Sequence, residues 1–299
     1  MPPGSLEPQP NGCTKPDIEL ARPAQDERFV LPRGTIRQEP RPMSGRTLLV
    51  TGATGGVAGA LLQALDPAWD RIALISRDAD GLETLCAHLP ESLQAYTIVA
   101  DVSTAEGADR AVAQASEHLG ESPTQLAHCA GSALLAPLHR TTEAQYRACI
   151  AANQDSAFYT LRAWVKARLQ ANEPSGSAVL FSSVVAQIGV SNHEAIAMAK
   201  GAIASLVPAA AATYAGHGIR INGIAPGLTR TGATERLFAS PRAEQQITAQ
   251  YPLQRYGQAE DLARAAAWLL SDEAEWVTGQ ILSVDGGFSR VRPLVQAGG

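Results

Sequence analysis

The residues best suited to chemistry begin at Thr51. Thr51-Gly52-Ala53-Thr54-Gly55-Gly56-Val57-Ala58-Gly59 places four glycines in nine residues, and a glycine-rich turn lets backbone N–H groups come close to a pyrophosphate. The apolar run Thr47-Leu-Leu-Val50 leads into it and the helical stretch Ala60-Leu-Leu-Gln-Ala-Leu65 leads out. In that strand-to-helix context the helix N-terminus adds free N–H groups and the positive end of a dipole. A second cluster is Ser191-Asn-His193-Glu194-Ala-Ile196-Ala-Met-Ala-Lys200. Ser191 and Glu194 have the S-x-x-E capping-box spacing, which predicts a helix start with Glu194 as the capping carboxylate. His193, Ile196 and Lys200 then share one helix face. Imidazole exchanges protons near neutral pH, so three readings of His193 stand open: a proton-exchanging group, a substrate-binding group, or a solvated histidine at a helix start. The four cysteines, Cys13, Cys86, Cys129 and Cys149, have no C-x-x-C spacing. They suggest neither a zinc site nor a disulfide framework, and no metal ligands are expected.

The elements that must position these residues follow from the hydrophobic pattern. From Gly45 onward short apolar runs alternate with segments of helical period, the signature of parallel strands buried on both faces and joined by crossover helices. The strand candidates are Thr47–Val50, Arg71–Ser76, Ala95–Ala100, Gln125–His128, Ala178–Ser182, Arg220–Ile224 and Gln280–Val284. They predict an α/β fold, one doubly wound Rossmann domain with a seven-stranded parallel sheet over about residues 45–290, followed by a tail from 291 to 299. Residues 1–44 hold nine of the 19 prolines, a density that favours extended chain over helix or central strand. This segment reads as a mobile extension, with docking of Phe29-Val30-Leu31 on the domain or on a neighbouring subunit as the alternative.

With 299 residues, 45% of them hydrophobic, the chain has the composition of a folded protein with a proper core. A net charge of -5 gives no global attraction to nucleic acid or to an anionic bilayer. The start, Met-Pro-Pro-Gly-Ser, lacks a charged region followed by an apolar stretch, and the most apolar segment, Gly201–Ala212, is short and interrupted by Pro208. Neither secretion nor membrane spanning is indicated, and a cytoplasmic location is expected.

At the glycine turn the sequence resembles the short-chain dehydrogenase/reductase family. That family's T-G-x-x-x-G-x-G is met by Thr51, Gly52 and Gly56, with Ala58 at the last glycine. Asp101-Val102 is similar to its adenine-side Asp, and His128-Cys129-Ala130-Gly131 to its N-x-A-G turn, with Cys129 a departure read as a packed thiol. Gly218-Ile-Arg-Ile-Asn222, Pro226-Gly227 and Thr231 are similar to its nicotinamide-side loop, and Val277-Thr278-Gly279 through Asp285-Gly286-Gly287 to its C-terminal strand. The resemblance spans about residues 45–288. It implies cofactor contacts from Thr51, Gly52, Thr54, Gly56 and Val57 in the first turn and from Asp101, Val102, Ala130 and Gly131 beyond it. On the nicotinamide side it implies Pro226, Gly227, Thr231 and Lys200. At the end of the second strand a carboxylate would bond a ribose 2′-hydroxyl and repel a 2′-phosphate. Ser76-Arg77 stands there instead, and a guanidinium suits phosphate, so NADP(H) is favoured over NAD(H).

In the family a Ser, a Tyr and a Lys converge on the substrate, with Y-x-x-x-K spacing and the Ser thirteen residues before the Tyr. Ser183 and Lys200 are 17 residues apart, the sum of those spacings, and Asn153 resembles the family's helix asparagine. The same register puts Ile196 at the tyrosine position. The resemblance therefore implies catalytic roles for Asn153, Ser183 and Lys200, with His193 or a Lys200-bound water exchanging the proton. Two functions follow: an NADP(H)-dependent oxidoreductase acting on a small molecule, or a non-catalytic cofactor-binding protein serving as sensor or partner subunit. Leu228 to about Tyr251 would cover the substrate. Its Arg230, Arg236 and Arg242 beside Leu237, Phe238 and Ile247 would admit an anionic or an apolar compound. The alanine-rich helix after Lys200 and a long helix from Asn153 to Leu169 resemble the family's dimerisation pair, so a homodimer or homotetramer is expected.

Overall fold

The computed structural model describes residues 46–293 apart from 66–68, 91–92 and 173; the expectations for 1–44 and for the end of the tail lie outside the described residues. Seven strands, β1 Arg46–Thr51, β2 Trp69–Ser76, β3 Gln94–Val99, β4 Gln125–His128, β5 Gly176–Phe181, β6 Ile219–Pro226 and β9 Ile281–Val284, form one sheet in the order β3-β2-β1-β4-β5-β6-β9. Every pairing is parallel. All seven expected strands are present. Two further short strands, β7 Thr229–Arg230 and β8 Gly257–Gln258, pair with each other.

Alternate residues of each central strand feed opposite cores, as a period of two requires. Leu49, Ala73 and Ile75 pack with α3 (Ala105–Leu119), α5 (Ser156–Gln170) and α6 (Glu194–Tyr214). Leu48, Val50, Ile72 and Leu74 pack with α1 (Gly56–Ala64) and α8 (Ala259–Leu270) on the other face. The remaining helices are α2 (Ala79–Cys86), α4 (Glu143–Ile150) and α7 (Pro241–Thr248). After β3 the chain returns to the far side of β1, so strand order reverses between β1 and β4. A crevice opens at the carboxyl ends of strands at such a switch point.

The expected interruption at Pro208 does not occur: α6 runs through it for 21 residues. The proline lies on the exposed side, while Ile203, Val207, Ala210 and Ala211 are buried in the core. That burial offsets the hydrogen bond a proline removes. Residues 194–217 have the length and mean hydropathy, 1.6, of a helix able to cross a membrane; here the apolar face packs on β6 and the sheet.

Candidate active site

The first turn is built on glycine for steric reasons. Gly52 has φ 63, and a Cβ there would lie 2.7 Å from the backbone N and Cα of Ala130, so the turns after β1 and β4 meet backbone to backbone. Gly55 caps α1 without a side-chain hydrogen bond, and the first helical turn has no acidic residue. Its N–H groups are therefore open to an anion. A cavity of about 210 Å³ lies at these strand ends, lined on one side by Gly52, Thr54, Ser76 and Arg77 and on the other by Asp101, Val102, Ala130 and Gly131. Ser76 Oγ lies 2.9 Å from Thr54 Oγ1 and accepts the Asp78 N–H at 3.2 Å. The Asp78 carboxylate itself accepts the Gly81 N–H at 3.0 Å as the cap of α2. Burial pushes the Asp101 carboxyl up, but hydrogen bonds from Ser103 and the Arg77 charge outweigh it and hold the group below its ordinary range.

A larger cleft of about 580 Å³ adjoins this cavity, and Cys129 and Gly131 line both. It gathers Ser183, His193, Ile196 and Lys200, with Val57, Pro226, Gly227 and Thr231 on the side toward the first turn. Thr231 packs over Gly56, where a Cβ would stand 3.4 Å from the threonine Cβ. Lys200 is anchored at both ends: Nζ donates to Phe181 O at 2.8 Å, and Ser182 Oγ donates to Lys200 O at 2.8 Å. Burial lowers its ammonium to about 8. Burial also pushes the Cys129 thiol up to about 12, which leaves a packed neutral thiol there. Ser183 Oγ accepts the Val185 N–H at 3.3 Å, so its own proton remains available to an oxygen in the cleft.

Three expectations are corrected here. The Ser191–Glu194 capping box does not form, because Asn192 takes a left-handed conformation (φ 64) and the N-cap moves two residues on, to His193, with no side-chain cap. The Glu194 side chain is exposed rather than capping. His193 Nδ1 lies 2.7 Å from Ser191 O; a carbonyl only accepts, so Nδ1 carries the proton and Nε2 is the atom free to exchange one.

Asn153 is the second. It does lie on the long helix, in a π-helical turn, Ala151–Asp155, that joins α4 to α5 without a break, but it is fully buried. Its Nδ2 donates to Cys149 O at 2.9 Å and Ser132 Oγ at 3.2 Å, and its Oδ1 accepts the Ser132 N–H at 3.2 Å. A Cβ on Gly131 would lie 2.8 Å from Asn153 Oδ1 and 3.3 Å from Lys200 Nζ. Asn153 thus holds the Gly131–Ser132 loop from behind and lines neither cavity. Such wide turns recur at functional sites because they redirect one side chain.

The third concerns the arginines. Arg230 bonds Glu235 at 2.6 Å, approaches Glu244 at 3.8 Å and Tyr256 Oη at 3.4 Å, and stacks over Phe238. Arg236 and Arg242 are exposed. None of the three lines the cleft.

A buried relay behind the site carries no signal in the spacing of motifs. Thr51 Oγ1 lies 2.8 Å from His128 Nδ1, His128 Nε2 lies 3.2 Å from Ser156 Oγ, and Ser156 Oγ donates to Ala152 O at 2.8 Å. Burial first, and the Lys200 charge second, lower His128 to about 3, so the imidazole is neutral. Thr51 and His128 therefore brace the ends of β1 and β4 against the π turn. A histidine closing the apolar run Gln125-Leu-Ala-His128 was the one available clue.

Residues 52–289 match the family described as enoyl-(acyl carrier protein) reductase. The chain belongs to the short-chain dehydrogenase/reductase family. It is 32% identical over 254 residues to 2-(S)-hydroxypropyl-CoM dehydrogenase 3 of Xanthobacter autotrophicus, covering 83% of this chain and 98% of that one. It is 34% identical over 225 residues to the inactive 2-(S)-hydroxypropyl-CoM dehydrogenase 2 of the same organism, covering 74% and 96%. Among solved structures, a candidate 2-deoxy-D-gluconate 3-dehydrogenase from Agrobacterium tumefaciens with bound NADP superposes with a TM-score of 0.73 at 29% identity, over 82% of this chain and 97% of that one. The protein is accordingly an oxidoreductase of the dehydrogenase/reductase type, in a family that binds nicotinamide dinucleotides and acts on small molecules.

Proposed function

We propose that this short-chain dehydrogenase/reductase is an NADP(H)-dependent enzyme interconverting a carbonyl and an alcohol, with Ile196 at the position of the family's tyrosine and His193 exchanging the proton. The observation that carries this reading is that the two cavities adjoin at Cys129 and Gly131, which line both. A dinucleotide lying across both from the first turn would end beside Ser183, His193 and Lys200. The residues fit such a group: α1 offers first-turn N–H groups with no side-chain cap, and Arg77 lines the smaller cavity while the neighbouring Asp78 carboxylate is engaged with Gly81. NADPH, when bound, supplies the hydride that turns the carbonyl carbon into a carbinol.

The chain's own residues then orient the substrate and move one proton. Ser183 Oγ–H donates to the carbonyl oxygen. Lys200, fixed on Phe181 O, reaches the ribose hydroxyls with its remaining N–H groups. Isoleucine has no exchangeable proton, and loss of a general acid typically costs about 10²–10⁴ in rate. His193 stands at the start of the same helix; with a proton on Nε2 as well as Nδ1 it delivers the Nε2 proton to the oxygen through a bridging water and becomes the neutral Nδ1–H form, and in the reverse direction the bare Nε2 takes the proton up, one helical turn being about 5.4 Å.

The test is a pair of fluorescence titrations with NADPH and NADH. NADPH should bind at least tenfold more tightly, about 1.4 kcal/mol, which is modest for one charge-assisted phosphate contact. Arg77→Ala should remove that preference while leaving NADH binding unchanged. Equal affinities in the parent protein would reject the assignment of Arg77.

A further inference from the structure

The geometry points to a substrate class: an uncharged, largely apolar carbonyl compound or its alcohol. This rests on the carbonyl chemistry proposed above and goes beyond it, because the loop's arginines left an anionic substrate open until their partners were seen.

The inference starts from charge. Among the described residues that line the 580 Å³ cleft there is no aspartate, glutamate or arginine; its charged and titratable groups are Lys200, His193, Cys129 and Tyr251. Lys200 Nζ is already committed to Phe181 O at the floor. Arg230, the arginine nearest in sequence to the cleft wall, is held by Glu235, Glu244 and Tyr256, and Tyr256 Oη in turn donates to Glu244 at 2.6 Å. This network pins the covering turn Glu235–Phe238 to α7 and leaves the guanidinium no role toward a carboxylate in the cleft. An anionic substrate would leave water for a pocket whose one buried cation, Lys200, is held on Phe181 O at the floor, and no charged side chain on the apolar wall offsets that desolvation.

Shape and surface agree. Leu134, Leu135, Val190, Leu228, Leu237 and Ile247 all line the cleft, and each is only partly buried. Their exposed faces converge from the loop after β4, the loop before α6 and the covering segment, so a ligand that fills the space removes apolar surface from water on several sides at once. The polar groups that line it are uncharged apart from Lys200 and His193: Ser183 at the reacting end, Ser132, Thr231 and Thr234 in the surrounding loops, and the exposed Gln246 of α7 and Gln250 just after it. The cleft thus presents a hydroxyl for the carbonyl at its reacting end and a largely apolar wall for the rest of the ligand.

The experiment compares two ketones that differ in one group: phenylcyclohexanone and the same ketone with a carboxylate on its phenyl ring. Full-length protein is assayed for NADPH oxidation with each, and the NADP⁺-loaded protein is titrated calorimetrically with the two corresponding alcohols. The expected result is a kcat/KM at least tenfold higher for the neutral ketone and tighter binding of the neutral alcohol. Turnover that favours the carboxylate compound, or equal values, overturns the substrate class while leaving the oxidoreductase reading intact. Selective binding of the neutral alcohol without turnover of either ketone upholds the class and rejects the reaction. Absence of saturable binding by both alcohols overturns the class. Leu237→Lys places a cation in the apolar wall, and it should narrow the preference at least threefold by lowering KM for the carboxylate ketone, with a melting temperature recorded alongside. If that variant does not fold, the comparison in the parent protein decides.

Discussion

At the level of single residues the site turns on the α6 face that carries His193, Ile196 and Lys200. Ile196 is 7% exposed and packs with Cys149, Ala195 and Ala199, so this face contributes an apolar surface where proton exchange is needed. The bond from His193 Nδ1–H to Ser191 O leaves Nε2 as the one ring nitrogen that can take up and give back a proton. His193→Ala should lower kcat for ketone reduction by about 10²-fold or more, with NADPH affinity little changed, because the contacts proposed for the adenine half, Arg77 and the first turn, lie in the other cavity. Stopped-flow turnover with a parallel cofactor titration checks both parts. An active variant with unaltered kcat would remove His193 from the chemistry.

At the level of elements the two turns at the strand ends determine whether a cofactor fits. Gly52→Ala would place a methyl 2.7 Å from Ala130 backbone and force a left-handed conformation on alanine, a strain of about 1–2 kcal/mol before the clash is counted. The variant should melt several degrees lower and lose NADPH binding, as calorimetry and titration would report; intact binding would mean that the turn is more yielding than its packing implies. His128, braced between Thr51 and Ser156, gives a pH signature. Its folded value of about 3 lies below its ordinary 6.5, so below pH 6.5 the unfolded chain takes up a proton that the folded one does not. Stability is lost as pH falls through that window, by about 2 kcal/mol between 6.5 and 5. Urea midpoints for parent and His128→Gln should show the shallower pH slope in the variant; parallel slopes would mean the imidazole is not held neutral. The strands and the glycine turn were legible in the sequence because burial on both faces and steric demand at Gly52 leave direct marks on residue type. The π turn under Asn153 was not, since Ala151-Ala-Asn153-Gln-Asp reads as ordinary helix, and what marks the turn in the fold is the long-range bonding of the Asn153 side chain to Ser132. The cap of α6 was misread because Ser191 and Glu194 have the right spacing while Asn192, a residue that tolerates left-handed φ, displaces the start.

At the level of the whole molecule, α5 presents Phe158 at 49% and Leu169 at 38% exposure, beside the alanine-rich α6. Small side chains allow helices to approach closely, and a symmetric homo-oligomer built on this pair is proposed. Light scattering at micromolar concentration should report a dimer or tetramer, and Phe158→Glu should shift it toward monomer; a monomeric parent protein would reject the pairing. The sheet, the two adjoining cavities and the largely apolar cleft are proposed to serve one reaction, reduction of a carbonyl at the expense of NADPH with Ile196 at the position of the family's tyrosine. The most direct test mixes the parent protein with NADPH and phenylcyclohexanone and follows the near-ultraviolet absorbance of the reduced nicotinamide. The proposed chemistry predicts its decay with formation of one alcohol per NADPH consumed. Tight NADPH binding without decay in the parent protein, with decay appearing only in Ile196→Tyr, would contradict it.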